Sequence, residues 1–263
     1  MKLSAIHGAI ARVLQGSRLE APARYLNARL RQLLHPGRSQ SNEQEILARL
    51  AHQTRAPKTF VEFGFHWREF NCIGLIREYG GLLIDGNDRN VRLARRIFPR
   101  NIRVEARFLT LENIDFIEQH FAGRPLGILS IDVDGNDYWF LKRLLPMRPA
   151  IVAVEYNASL LLKPITVPYK PDFDRFKEHA SGLFHGASLT ALAELCRQQG
   201  YSLVAISDSG VNAFFVRNEL LSPDLRPLSP ETAFRECALT NMWNSSSAPE
   251  QWSLIQHMEF VEV

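Results

Sequence analysis

The chain has 263 residues, 46% of them apolar and 22% charged. That is room for one domain with extensions or two small ones, and the balance excludes disordered and collagen-like chains. The formal charge of +3 is too small to point to nucleic acid, and no run approaches 18 uninterrupted apolar residues, which excludes a transmembrane helix.

Charge is unevenly placed. Residues 1 to 58 hold ten Lys/Arg and three acids, whereas residues 218 to 263 hold two Arg and seven acids. Front and tail are expected to meet each other, an anionic partner or solvent. Arg12, Gln15 and Arg18 interrupt what would be the apolar core of a signal peptide, so the start reads as mature protein. Cys72, Cys196 and Cys237 are far apart and odd in number. Without the close pairs that form disulfide frameworks or zinc sites, they point to a reducing, cytoplasmic compartment.

Helical spacing of Ile6, Ile10, Val13 and Leu14, then of Tyr25, Leu26, Leu30, Leu33 and Leu34, predicts helices over 3 to 15 and 22 to 34. Ser41 with Gln44 is expected to cap a third helix carrying Ile46, Leu47 and Leu50. Residues 1 to 57 thus read as a helical N-terminal extension, a packed lid or docking piece rather than a membrane-lying helix. From Thr59 the rhythm changes. Strands are expected at Thr59 to Phe63, Gly81 to Asp85, Ile102 to Val104, Gly127 to Asp132 and Ile151 to Tyr156, with helices near 69 to 79, 88 to 98, 112 to 121 and 137 to 145. Such alternation predicts an α/β fold whose parallel sheet carries helices on both faces.

After the proline-rich passage 162 to 171, a helix is expected over 188 to 199, then strands Ser202 to Ile206 and Val211 to Val216. Their joint, Ser207-Asp208-Ser209-Gly210, is too short for a parallel crossover, so the mostly parallel sheet should end in an antiparallel hairpin. The core domain reads as residues 58 to 217, and 218 to 263 as a C-terminal extension packing on it.

In open sheets of this kind, ligands bind beyond the carboxyl ends of the strands. The first strand ends Glu62-Phe63-Gly64, where Gly64 can let backbone approach a ligand and Glu62 can receive a hydroxyl or amine. A dinucleotide cradle needs further glycines, and Phe65-His66-Trp67-Arg68 follow instead. Asp85, before Gly86 and Asn87, lies where a carboxylate can accept two hydrogen bonds from a ribose diol; a plain Asp-Gly turn is the competing reading. Asp132 and Asp134 concentrate negative charge at the fourth strand's end, favouring a cation, an amine or a proton transfer, while Asp134 or Asn136 can instead cap the next helix. Asp132, Glu155 and Asn157 could supply oxygen ligands to magnesium or manganese. His66 and His185 are candidate general bases, and Ser188 most simply caps a helix. Phosphate-loop and nucleophile-elbow motifs are absent from the sequence.

Taken together, FVEFG at 60 to 64, LLIDGN at 82 to 87, ILSIDVDGND at 128 to 137 and AVEYN at 153 to 157 resemble the class I S-adenosylmethionine-dependent methyltransferases, FkbM-like members in particular. GASLTALAEL at 186 to 195 and GVNAFFVR at 210 to 217 extend the resemblance over about residues 58 to 217. It implies a Rossmann-like fold and S-adenosylmethionine as cofactor. By the resemblance, Glu62, Gly64 and, beside them, His66 line the methionine and adenosine part of the cofactor, Asp85 holds the ribose, and Gly86 and Asn87 flank the adenine. Asp132 and Asp134 mark the boundary with the acceptor, which Glu155, Tyr156 and Asn157 face. His66-Trp67-Arg68 stand where members usually carry a second glycine, so this loop is expected to narrow the methionine pocket, change its ligand or take another path.

The expected function is O-methylation of a sugar, glycan or small polar natural product, with Asp132, Glu155 or His185 as base and magnesium or manganese as an optional aid. Two other classes stand beside it: a non-catalytic binding or scaffold module on the same fold, and a nicotinamide-dependent oxidoreductase. A homodimer is allowed, and no nucleic-acid partner is expected.

Overall fold

The computed structural model describes residues 39–263; the helices expected at 3 to 15 and 22 to 34 lie outside the described residues. Seven strands form one sheet: β1 (Thr59–Phe63), β2 (Gly80–Asp85), β3 (Ile102–Ala106), β4 (Ile128–Ile131), β5 (Ile151–Glu155), β7 (Tyr201–Ile206) and β8 (Asn212–Arg217). Their spatial order is β3-β2-β1-β4-β5-β8-β7. Every pairing is parallel except β5 with β8 and β8 with β7, so β8 alone runs against the others. This is the Rossmann-like methyltransferase fold the sequence leads one to expect.

Both sheet faces are covered, which is why the strands read as near-continuous apolar runs. Side chains alternate between two cores. Val61, Phe63, Leu129, Ile131, Val152 and Val154 face one side with Ile117, Leu141 and Leu192. Phe60, Leu83, Ile128, Ala153 and Phe214 face the other with Ile46, Leu47, Leu50 and Val91. Each fully buried Leu or Ile stabilises the fold by roughly 1.5–3 kcal/mol, so a strand slipped by one residue would exchange the two cores at once.

The covering helices are α1 (Glu43–Thr54), α2 (Asp88–Ile97), α3 (Phe116–Phe121), α4 (Asp137–Leu144), α5 (Arg175–Glu178) and α6 (Leu189–Gln198). Ser41 does not cap α1: the N-cap is Asn42, the Ser39 hydroxyl accepts the Gln44 N–H, and the Ser41 N–H donates to Glu43. The helix expected over 69 to 79 is a 3-10 turn at Asn71–Leu75. Its first two amides, which have no partner within a helix, donate to the Glu62 carboxylate from Asn71 (2.7 Å) and Cys72 (2.8 Å).

Beyond β8 come α7 (Pro230–Ala233), α8 (Ala238–Asn244) and α9 (Ala248–Ile255). The chain's last strand, β9 (Val261–Glu262), pairs with β6 (Ile165–Thr166). Ile255, Trp252 and Phe260 pack there on Leu160, Val167 and Phe184. The tail is thereby sewn to the segment that follows β5. Among the described residues no helix is long and apolar enough to cross a membrane.

Candidate functional site

Three parallel strands deliver their carboxyl ends to one place because their ladders stay in register to the last residue. Gly64 N donates to the Ile84 carbonyl and Asp132 N to that of Phe63, each at 3.2 Å. Gly64 has φ +81°, a conformation that disfavours side chains, and Asp132 lies directly against it. Between and above these ends opens a cavity of about 480 Å³, bordered by Phe63, Gly64, Asp85, Gly86, Asn87, Asp132, Asp134 and the segment Arg107-Phe108-Leu109. Burial raises the Asp85 pKa, against the Asn87 N–H it accepts at 2.8 Å. Asn87 both borders the cavity and caps α2, accepting from the amides of Arg89 and Asn90.

The loop after Gly64 folds back on itself. His66 and Glu69 exchange two backbone hydrogen bonds, closing a tight turn. Asn90 pins that turn to α2, accepting from Trp67 N (2.8 Å) and donating to the Phe65 carbonyl (2.7 Å). His66 is exposed and absent from the cavity wall, and Glu62 is buried on the two amides described above. Neither of these two expected cofactor contacts reaches the cavity.

At the end of β4 the acidic run divides its labour. Asp137 is buried and accepts the amides of Val133 and Gly135, both at 2.9 Å, which shapes the loop; burial raises its pKa to about 6. Neither Asp134 nor Asn136 caps α4 with its side chain. Asp134 sits at φ 55° and pairs with Arg175. Asp132 is half-buried, and desolvation followed by repulsion from Asp134 and Asp137 holds its pKa well above the usual carboxylate range.

A second cavity, about 550 Å³, lies on the other side of Asp132 and Asp134. Glu155, Tyr156, Arg175, Phe176, His185 and Trp243 are among its walls. Burial, then repulsion from Asp132, holds the Glu155 pKa well above its ordinary value. Burial also drives the His185 pKa down to about 3, with Arg175 adding to the effect, so the ring is neutral. Asn157 borders this cavity, but its amide is spent on the fold. It donates to the carbonyls of Leu183 (2.7 Å) and His185 (2.9 Å) and accepts from Ser159 N. The expected Asp132, Glu155 and Asn157 metal set is therefore not assembled with three free donors. The Tyr156 hydroxyl donates to the Arg235 carbonyl at 2.7 Å. Ser188 caps α6 as expected, accepting from Ala191 N.

Sequence reasoning missed Arg107, Phe108, Phe173, Arg175, Phe176 and Trp243, all of which line one cavity or the other. Phe108 carried a usable signal: a large apolar residue in the first loop after a strand, here 59% exposed beside the Gly86 turn.

No protein-family model and no curated protein matches the sequence. Among solved structures, a candidate O-methyltransferase from Klebsiella pneumoniae is similar at 15% identity and TM-score 0.44, over 81% of this chain and 96% of that one. The N-terminal domain of EvdMO1 with SAH bound is similar at 12% identity and TM-score 0.44, over 73% and 94%. A TehB-like SAM-dependent methyltransferase from Corynebacterium glutamicum is similar at 15% identity and TM-score 0.41, over 74% and 99%.

Proposed function

We propose that the chain is an S-adenosylmethionine-dependent methyltransferase acting on an oxygen of a small polar acceptor, sugar-like in chemistry. The observation that carries this reading is the pair of cavities that meet at Asp132 and Asp134 beyond the carboxyl ends of parallel strands. Transfer of a group between two molecules requires two adjoining sites with their reacting atoms aligned across a shared wall.

The first cavity suits the donor. Asp85 stands at the end of β2 to accept hydrogen bonds from ribose hydroxyls, and Phe108 offers an aromatic face beside Gly86 for a purine ring. The cofactor would supply a methyl group already activated on a sulfonium. What remains for the protein is to orient the acceptor oxygen and take its proton.

Asp132 is the group placed for that proton, since it borders both cavities and its raised pKa makes its carboxylate a stronger base than an ordinary aspartate. The neutral, weakly basic ring of His185 suits the role less. The acceptor hydroxyl would give its proton to Asp132 as its oxygen takes the methyl group, and the cofactor would keep the electron pair of the broken S–CH3 bond on sulfur. The FkbM-like motifs support an oxygen acceptor over nitrogen.

Calorimetry with S-adenosylmethionine and S-adenosylhomocysteine tests the reading. Binding that Asp85→Asn weakens about 10-fold or more supports it, that being the loss of one hydrogen bond to a charged group. A folded protein that binds neither molecule would leave a non-catalytic binding module on this fold as the better reading.

A further inference from the structure

Proposed methyl transfer leaves the floor of the second cavity without a task, although its side chains are poised for one. Asp134, Glu155 and His185 each present a donor atom there, and these atoms lie within 4.8 Å of one another. His185 is only 4% exposed, and neither of its ring nitrogens has a hydrogen-bond partner among the described residues; Nδ1 is wholly buried. Glu155 Oε2 is buried and unpartnered in the same way. Leaving two such groups unsatisfied is destabilising, a cost that a ligand bound between them would remove.

We propose that Asp134, Glu155 and His185 form a binding site for one divalent transition-metal cation of the manganese type. Charge favours it. The cavity walls carry the carboxyl groups of Asp132, Asp134 and Glu155 against one guanidinium, Arg175, which is already paired with Asp134. The excess is two negative charges when all three carboxyl groups are ionised, the amount a divalent cation neutralises.

The donor set chooses among cations. Two carboxylate oxygens suit magnesium, calcium or manganese, whereas a neutral imidazole disfavours the first two and is at home with transition metals. His185 is buried in the neutral form that a metal requires. Donors bonded at roughly 2.2 Å to one ion stand at most about 4.4 Å apart, so the three close on an ion with side-chain shifts of a few tenths of an ångström. This set differs from an Asp132, Glu155 and Asn157 site by using the histidine and leaving Asp132 free.

The metal site goes beyond methyl transfer and stands without it. Only one consequence, that an acceptor oxygen would sit beside the ion, rests on that reading. The test is titration of the full-length protein with Mn2+ followed by electron paramagnetic resonance, in the absence of cofactor. We expect one bound ion per chain with nitrogen hyperfine coupling. Affinity should fall at least 10-fold in Glu155→Gln and in His185→Ala, the coupling should vanish in the latter, and His120→Asn should behave as the parent. Asp134, whose side chain is 59% exposed, gives a third variant, Asp134→Asn, that tests the site even if a buried substitution prevents folding. Free Mn2+ throughout the titration, as for a pocket that takes an amine instead, would overturn the proposal. So would equal affinity in the parent and all folded variants. Calorimetry with S-adenosylhomocysteine on the same samples separates this failure from that of methyl transfer, because each ligand is scored without the other.

Discussion

A Cβ atom at Gly64 would stand 1.3 Å from the backbone oxygen of Asp132, so the turn after β1 and the end of β4 touch only because residue 64 has no side chain. Gly64→Ala must therefore both strain a backbone at φ +81° and push apart the strand ends that form the first cavity. We expect a stability loss of about 3 kcal/mol or more in urea unfolding, accompanied by loss of S-adenosylhomocysteine binding. A variant with the parent's unfolding midpoint would show that the contact does not hold the site.

Glu62 predicts a pH dependence. Burial outweighs its two backbone donors and raises its pKa from 4.5 to about 7. The folded chain therefore keeps a proton that the unfolded chain releases at lower pH. The stabilisation is complete below about pH 4.5 and is lost as pH rises through about 7, a contribution of roughly 3 kcal/mol for the full shift. Glu62→Gln cannot ionise, so its stability should vary less over that window. At the acid end it should be lower by about 1 kcal/mol, because one backbone N–H then faces an amide NH2. Urea titrations at a series of pH values decide the matter, and parallel curves for parent and variant would refute it.

The two residues also show what was legible in the sequence. Strand positions follow from apolar runs between turn residues, and the hairpin of β7 and β8 follows from a joint too short for a crossover. Gly64, Asp85, Asp132 and Asp134 were legible as residues bordering one cavity because strand ends in such a sheet share one edge. Glu62 misled because a carboxylate at a strand end reads the same whether it meets a ligand or the amides of Asn71 and Cys72. The same ambiguity hid the division between Asp137, which shapes its loop, and Asp134, which faces both cavities. Arg175 and Trp243 reach the site through long excursions after β5 and β8, and no local periodicity encodes where such segments return.

Phe108 tests the orientation of the donor. Its ring borders the cavity 3.2 Å from the position a Cβ on Gly86 would take. If the purine stacks on it, Phe108→Ala should weaken S-adenosylhomocysteine about 5- to 10-fold, the value of one aromatic contact, and Phe108→Tyr should restore it. Calorimetry of the two variants checks this. Unchanged affinity in Phe108→Ala would place the purine elsewhere.

At the mouth of the other cavity, Phe176 on α5 and Trp243 on α8 are 67% and 70% exposed, a large apolar area to leave in water beside an acidic floor. Flat aromatic faces over a polar interior match an acceptor with an apolar face and a hydroxylated edge, as in a sugar ring. Trp243→Ala should then raise the acceptor KM about 5- to 20-fold with kcat held within about twofold, since the lost contact serves ground state and transition state alike. Affinity for S-adenosylhomocysteine should stay at the parent's value, because Trp243 borders only the second cavity. Steady-state kinetics, paired with cofactor calorimetry, distinguish the alternatives. A fall in cofactor affinity with KM unchanged would reverse the assignment of the two cavities, and Asp132 would then face its donor from the opposite side.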